Sequence, residues 1–221
     1  MDNRLLTREQ VAKRIAQDLV DGDVVNLGIG IPVLVSNYVA PNAEIVYHSE
    51  QGVLGMGAIA KPGEEDPDLV NASKLPVTLV PGGSFSHHAD SFAMTRGKHI
   101  DVAILGGMQV SENGDLANWK VRGAKLGSIG GAMDIAIGAK KLFIAMTHLS
   151  KNGEYKIVKE LDYPVTALKC VDRVFTDMAV IDVTSDGLVL QEIAPGFTVE
   201  EVQQATEPTL IISKNLKEIV S

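Results

Sequence analysis

Two stretches of the sequence set a carboxylate among small polar residues and glycines. In YHSEQGVLGMG, residues 47–57, Glu50 stands between Ser49 and Gln51; in MQVSENGDLANW, residues 108–119, Glu112 stands in Ser-Glu-Asn-Gly. A glutamate so placed is a candidate nucleophile or general base. An isolated glutamate at a strand end is more usually a solvated or salt-bridged surface group, so position must decide between the two copies. Glu50 follows the β-forming run AEIVYH with only Ser49 between, and is followed by Gly52, Gly55 and Gly57. Glu112 precedes Asn113-Gly114, a strong signal for a two-residue type I′ hairpin turn. The expectation is that Glu50 faces a crevice and Glu112 faces solvent.

Two glycine pairs could complete such a site. Gly28 and Gly30 in NLGIGIP follow one strand and precede a helix, and Gly106 and Gly107 in AILGGMQ end another strand. Backbone N–H groups in such loops can face an anion or a developing oxyanion, and in an open α/β sheet ligands bind outside the carboxyl ends of strands. Three strand ends could thus supply one carboxylate and up to four unobstructed amides. The dinucleotide fingerprint needs a third glycine three positions after Gly30, where Val33 stands, so a nicotinamide site is disfavoured. Neither NLGIGIP nor HSEQG holds a lysine or arginine for a phosphate dianion, which weighs against a sugar-phosphate isomerase of related fold. His87-His88 reads as a helix-surface pair, because neighbours on a helix point apart and no third metal ligand is spaced to join them. Asp115 and Trp119 could shape a pocket, although a sole tryptophan is more often packing with a satisfied N–H. Asp134 and His148 have no partner that spacing can supply.

The elements that must position these groups read as alternating α/β. TREQVAKRIAQDLVDG opens on a Thr7/Gln10 capping box and carries Val11, Ile15 and Leu19 at helical spacing. DVVNLG and AEIVYH read as strands around the helix VLVSNYVA, entered through Pro32. VLGMGAIAKPGEEDPDLVNASKLP has neither period and reads as a long surface loop whose acidic part, GEEDPD, is solvated. VTLV and DVAILGG are predicted strands around a helix SFSHHADSFAMTR, followed by a hairpin at MQVSENGDLANW. A helix from GGAMDIAIGA, a strand KLFIAM, a meander over RVFTDMAVIDVTSDGLVLQEIAP and a Thr198/Glu201-capped helix complete the reading. One domain over residues 1–221 is expected. The 20 basic against 28 acidic residues, a formal charge of -8, disfavour nucleic acid and anionic membrane as partners. Cys170, the sole cysteine, permits no intrachain disulfide and no thiolate metal cluster, as fits a reducing cytoplasm. MDNRLLTREQ lacks a basic head followed by an apolar run, and no apolar stretch approaches the ~20 residues of a membrane helix, so a soluble, unexported chain is expected.

Together VNLGIGIP, HSEQGVLGMG, DSFAMTRGKHIDVAILGGMQV and GDLANW resemble the β subunit of the two-subunit family I CoA-transferases, which move CoA between a 3-oxo acid such as acetoacetate and a second carboxylic acid. The resemblance runs over nearly the whole chain. It implies that family's fold, an open, mainly parallel sheet flanked by helices. The family's catalytic Ser-Glu-Asn-Gly corresponds to Ser49, Glu50, Gln51 and Gly52, the copy followed by VLGMG, with glutamine replacing asparagine. Ser111–Gly114 then matches only by accident. The resemblance makes Glu50 the nucleophile, through a glutamyl-CoA thioester. It sets Gly28, Gly30, Gln51, Gly52, Gly106 and Gly107 around the oxyanion and substrate, with coenzyme A as a substrate, no metal and no tightly bound cofactor. It also implies a partner α subunit in an α2β2 assembly, with this chain alone close to inactive. A catalytically degenerate structural subunit is the remaining alternative.

Overall fold

The computed structural model describes residues 2–40 and 42–220. Helix α1 (Arg8–Ala16) begins at the expected capping box: Thr7 Oγ1 accepts from Gln10 N–H, and the Gln10 side chain accepts from Thr7 N–H. Strand β1 (Val24–Leu27) leads through the Gly28–Gly30 loop into α2 (Ile31–Leu34), which tightens into a 3-10 turn (Val35–Asn37). Then come β2 (Val46–Ser49), β3 (Val53–Ile59), β4 (Val77–Phe85) and α3 (His88–Arg96). Strand β5 (Val102–Gly106), the hairpin β6 (Gln109–Ser111) and β7 (Leu116–Ala117), α4 (Ala132–Gly138), β8 (Lys141–Ala145) and β9 (Ile157–Val158) follow. The chain closes with β10 (Arg173–Phe175), β11 (Ala179–Thr184), β12 (Gly187–Ile193), α5 (Val199–Gln204) and β13 (Ile211–Glu218).

Ten strands form one sheet in the order β13-β12-β11-β10-β8-β5-β1-β2-β3-β4, and β7-β6-β9 form a small second sheet. The middle of the large sheet, β10-β8-β5-β1-β2, is parallel throughout, as the resemblance implied, while β11 on one side and β3 on the other run against it, each pairing antiparallel with both its neighbours. Central strands are buried on both faces, which is why they read as unbroken apolar runs. Their side chains alternate between two cores: Ala103, Leu105, Leu142 and Ile144 pack with α4 and α5, and Val102, Ile104, Phe143 and Ala145 pack with α1. Arg14 of α1 ties the first helix to the late strands, its buried guanidinium donating to both carboxylate oxygens of Glu192 on β12 at 2.6 Å each.

Several expectations need correction. The predicted loop from Val53 is a strand for its first seven residues, β3, although GEEDPD beyond it is exposed as expected. The strand expected at VTLV runs on to Phe85, so α3 starts at His88 rather than Ser84. The helix expected over VLVSNYVA is shorter and starts earlier, at Ile31. At the hairpin Ser111 N–H donates to Asp115 O and Gly114 N–H donates to Ser111 O, while of the loop residues only Gly114 lies in the left-handed region, at φ 80°. That is a three-residue loop closed by a glycine bulge, not a type I′ turn. Strand β13, which pairs parallel to β12, was not foreseen.

Candidate active site

Strand order reverses around β1: the chain passes from β1 to β2 on one side and returns to β5 on the other. A crevice opens where neighbouring connections diverge, at the carboxyl ends of the strands. Here it is a cavity of about 550 Å³ lined by Gly28, Gly30, Glu50, Gly106 and Gly107. The structure thus brings together five of the seven residues singled out by sequence. A second cavity of about 490 Å³, between α3 and α4, shares Glu50, Gly130 and Gly131 with the first, so the carboxylate stands where the two meet.

Glu50 is half-buried in the tight turn Ser49–Gly52 that joins β2 to β3, where Gly52 N–H donates to Ser49 O at 2.9 Å. Gly52 must be glycine: its φ is 118°, and a Cβ there would lie 2.2 Å from Ser86 O. Behind the turn a buried polar chain fixes β2. Asn26 Nδ2 donates to His48 Nδ1 at 3.0 Å, His48 Nε2 meets Ser91 Oγ at 2.8 Å, and Ser91 Oγ donates to Ser49 O at 3.3 Å. With Nδ1 accepting, His48 is neutral and carries its proton on Nε2, and burial holds it below the ordinary histidine range.

The candidate amides divide. Gly28 N–H is committed to Ile104 O at 2.9 Å and Gly52 N–H to the turn, so neither is free for an oxyanion. Among the described residues, no acceptor in the chain takes the N–H of Ile29, Gly30 or Gly107. Gly106 is held from behind, its carbonyl accepting from Asn118 Nδ2 at 3.1 Å, and Asn118 Oδ1 accepts in turn from Thr166 Oγ1 at 2.8 Å. Gly107 has no room for a side chain, since a Cβ would lie 2.6 Å from Ile144 Cγ2. Gln51 lies outside the cavity, bridging Ser49 Oγ, from which it accepts, and Val70 O, to which it donates, at 2.6 Å each.

Other groups fall away from the site or enter it unannounced. Glu112 is half-buried in its hairpin and lines neither cavity. His87 caps α3 by accepting from Ala89 N–H, and His88 packs edge-on against Phe92; no cluster of three metal-ligating side chains occurs among the described residues. Asp115 accepts from Lys169 N–H, and Trp119 is half-buried with its indole N–H on Val165 O. Asp134 pairs with Arg96, and His148 is fully buried between Thr176 and Thr206. Sequence reading missed Arg8, Asn118 and Lys156, all of which line the larger cavity. Asn118 carried a signal in GDLANW; Arg8 and Lys156 carried none, because only the fold brings α1 and the segment before β9 to the loops. No helix among the described residues is long and apolar enough to cross a membrane.

The family described as coenzyme A transferase matches residues 8–205. The chain is 50% identical over 212 residues to the B subunit of the 3-oxoadipate CoA-transferase of Acinetobacter baylyi, covering 96% of this chain and 98% of that one. It is 48% identical over 200 residues to the B subunit of the succinyl-CoA:3-ketoacid coenzyme A transferase of Helicobacter pylori, covering 90% and 96%. Among solved structures, an acyl-CoA transferase from Escherichia coli O157:H7 superposes with a TM-score of 0.77 at 24% identity, over all of this chain and 44% of that one. That last likeness is one of fold.

Proposed function

Because the chain belongs to the coenzyme A transferase family, we propose that it is the glutamate-bearing half of a two-subunit enzyme that exchanges CoA between a 3-oxo acid and another carboxylic acid. One observation carries the assignment of the nucleophile: Glu50, at the carboxyl end of β2, lines the same cavity as the unengaged amides of Gly30 and Gly107.

The chemistry follows from that arrangement. The Glu50 carboxylate attacks the thioester carbonyl of an acyl-CoA; the oxyanion collapses and CoA thiolate leaves, giving an acyl-glutamyl anhydride. The thiolate then attacks the glutamyl carbonyl, releasing the first acid and leaving a glutamyl-CoA thioester. The acceptor acid runs the sequence backwards. A carboxylate nucleophile keeps both intermediates activated, so one hard exchange becomes reversible steps. Each oxyanion needs donors aimed at it, and the loss of one such donor typically costs ~2.7 to 4 kcal/mol. The amides of Ile29, Gly30 and Gly107 are the donors in this reading, and coenzyme A is a substrate rather than a resident cofactor.

A partner chain completes the enzyme in this reading. The two relatives above are named as B subunits, and Ile29, an apolar residue on the cavity wall, is 69% exposed. A second chain covering that mouth would keep water from the anhydride. An α2β2 assembly is expected, with the isolated chain close to inactive.

The test uses the chain coexpressed with its partner. Acyl-CoA is added without acceptor, the thioester is reduced with borohydride, and the digest is searched by mass spectrometry for a glutamate converted to its alcohol. The modified peptide should contain HSEQG. Glu50→Gln should abolish the half-reaction with assembly intact, and Glu112→Gln should change exchange by less than about tenfold, the kinetic worth of ~1.4 kcal/mol. Label on the VSENG peptide, or normal turnover by Glu50→Gln, would overturn the assignment.

A further inference from the structure

The larger cavity holds two cations besides Glu50, and they differ in kind. Arg8 is exposed at the rim, its guanidinium 3.6 Å from where a Gly30 Cβ would stand. An ion in that setting is solvated and contributes little when paired. Lys156 is half-buried, with its ammonium near Thr147 Oγ1 at 3.3 Å just beyond β8. Among the described residues, no carboxylate lies within ion-pair distance of it. A partly buried charge without a partner is costly, and the cost shows: burial pushes Lys156 down to about 8, with Asp177 only partly opposing it. The ammonium therefore stays mostly protonated at neutral pH while lacking an anion.

Position says which anion would fit. Glu50 ends β2 and the Lys156 ammonium lies beyond β8, with β1 and β5 between. Three inter-strand steps of ~4.8 Å set the two strand ends roughly 14 Å apart. Both residues line the larger cavity, and a span of that size, shortened by the reach of two long side chains, suits a carbon skeleton of a few bonds.

We propose that Lys156 is a specificity-determining residue that receives the far carboxylate of a dicarboxylic acyl group whose thioester carbon sits at Glu50. The inference rests on the reading of this cavity as the CoA-transfer site. An acyl chain with no far carboxylate would leave Lys156 unpaired, and a diacid would neutralise it, so the site favours diacids by both contact and relief of a buried charge.

The assembled two-subunit enzyme is assayed for acylation of Glu50 by succinyl-CoA and by butyryl-CoA, as wild type, Lys156→Met and Lys156→Arg. Lys156→Met should lower the ratio of kcat/KM for succinyl-CoA over butyryl-CoA at least tenfold, and Lys156→Arg should restore most of that ratio. An equal loss for both donors would make Lys156 a structural or CoA-binding residue and overturn the proposal. So would an unchanged ratio, or a wild-type enzyme that takes butyryl-CoA and refuses succinyl-CoA. Failure of the wild-type assembly to form a glutamyl thioester with any donor would instead sink the assignment of Glu50.

Discussion

At Glu50, placement follows from what its neighbours do. Tyr47, His48 and Ser49 are buried, His48 is locked between Asn26 and Ser91, and Gly52 closes the turn, so the carboxylate is delivered to the strand end with little freedom of its backbone. Gln51, the one departure from the family's Ser-Glu-Asn-Gly, points away from the cavity and staples the turn to Val70. An asparagine there is one methylene shorter and would keep at most one of its two hydrogen bonds. A net hydrogen bond is worth ~0.5 to 1.5 kcal/mol, and this one is exposed. Gln51→Asn should therefore keep kcat within about tenfold of wild type, since ~1.4 kcal/mol is a factor of ten. A loss as deep as that of Glu50→Gln would show that Gln51 acts on the reacting atoms.

Among the elements, those announced by local chemistry were legible and those shaped by a neighbour were not. Both capping boxes, Thr7/Gln10 and Thr198/Glu201, start helices where the sequence says they should, because a cap is satisfied within four residues. Central strands were legible from their unbroken apolar runs. Strand β3 was not, because Gly55 and Gly57 look like loop residues until β4 is beside them. A Cβ at Gly55 would lie 2.8 Å from Gly83 Cα and one at Gly57 would lie 2.4 Å from Thr78 Oγ1, so these glycines admit a close, irregular strand pairing with register shifts. Gly55→Ala should accordingly destabilise the fold by ~1 to 3 kcal/mol, since it combines overpacking with a φ of 81°. The urea midpoint measures it; an unchanged midpoint would mean the pair of strands can part without cost. For the site, Glu50 and the glycine loops could be found from strand ends alone. Lys156 could not, since its relation to Glu50 exists only across the sheet.

For the molecule as a whole, the buried His148 makes stability depend on pH. Its ring is enclosed, with Nδ1 2.8 Å from Thr176 Oγ1 and Nε2 2.9 Å from Thr206 Oγ1. Burial, helped by the nearby Lys156 cation, lowers His148 from 6.5 to about 4. In that window the unfolded chain binds a proton that the folded chain refuses, so stability falls as pH drops from about 6.5 towards 4. The loss by pH 5 should be about 2 kcal/mol. Urea midpoints at pH 7 and pH 5 would show it, and His148→Gln should flatten the dependence; an equal slope in the variant would place the titration elsewhere. A different consequence follows from a cavity that presents free main-chain amides. Under the proposed chemistry a mutational scan would score Glu50 as essential and Gly107 as a folding position, because any side chain there meets Ile144 and Met146. Ile29 would score only for what its side chain does at the cavity mouth, not for its N–H. That N–H is supplied whatever the side chain, so this part of the enzyme would be inherited as a path of the chain rather than as a residue.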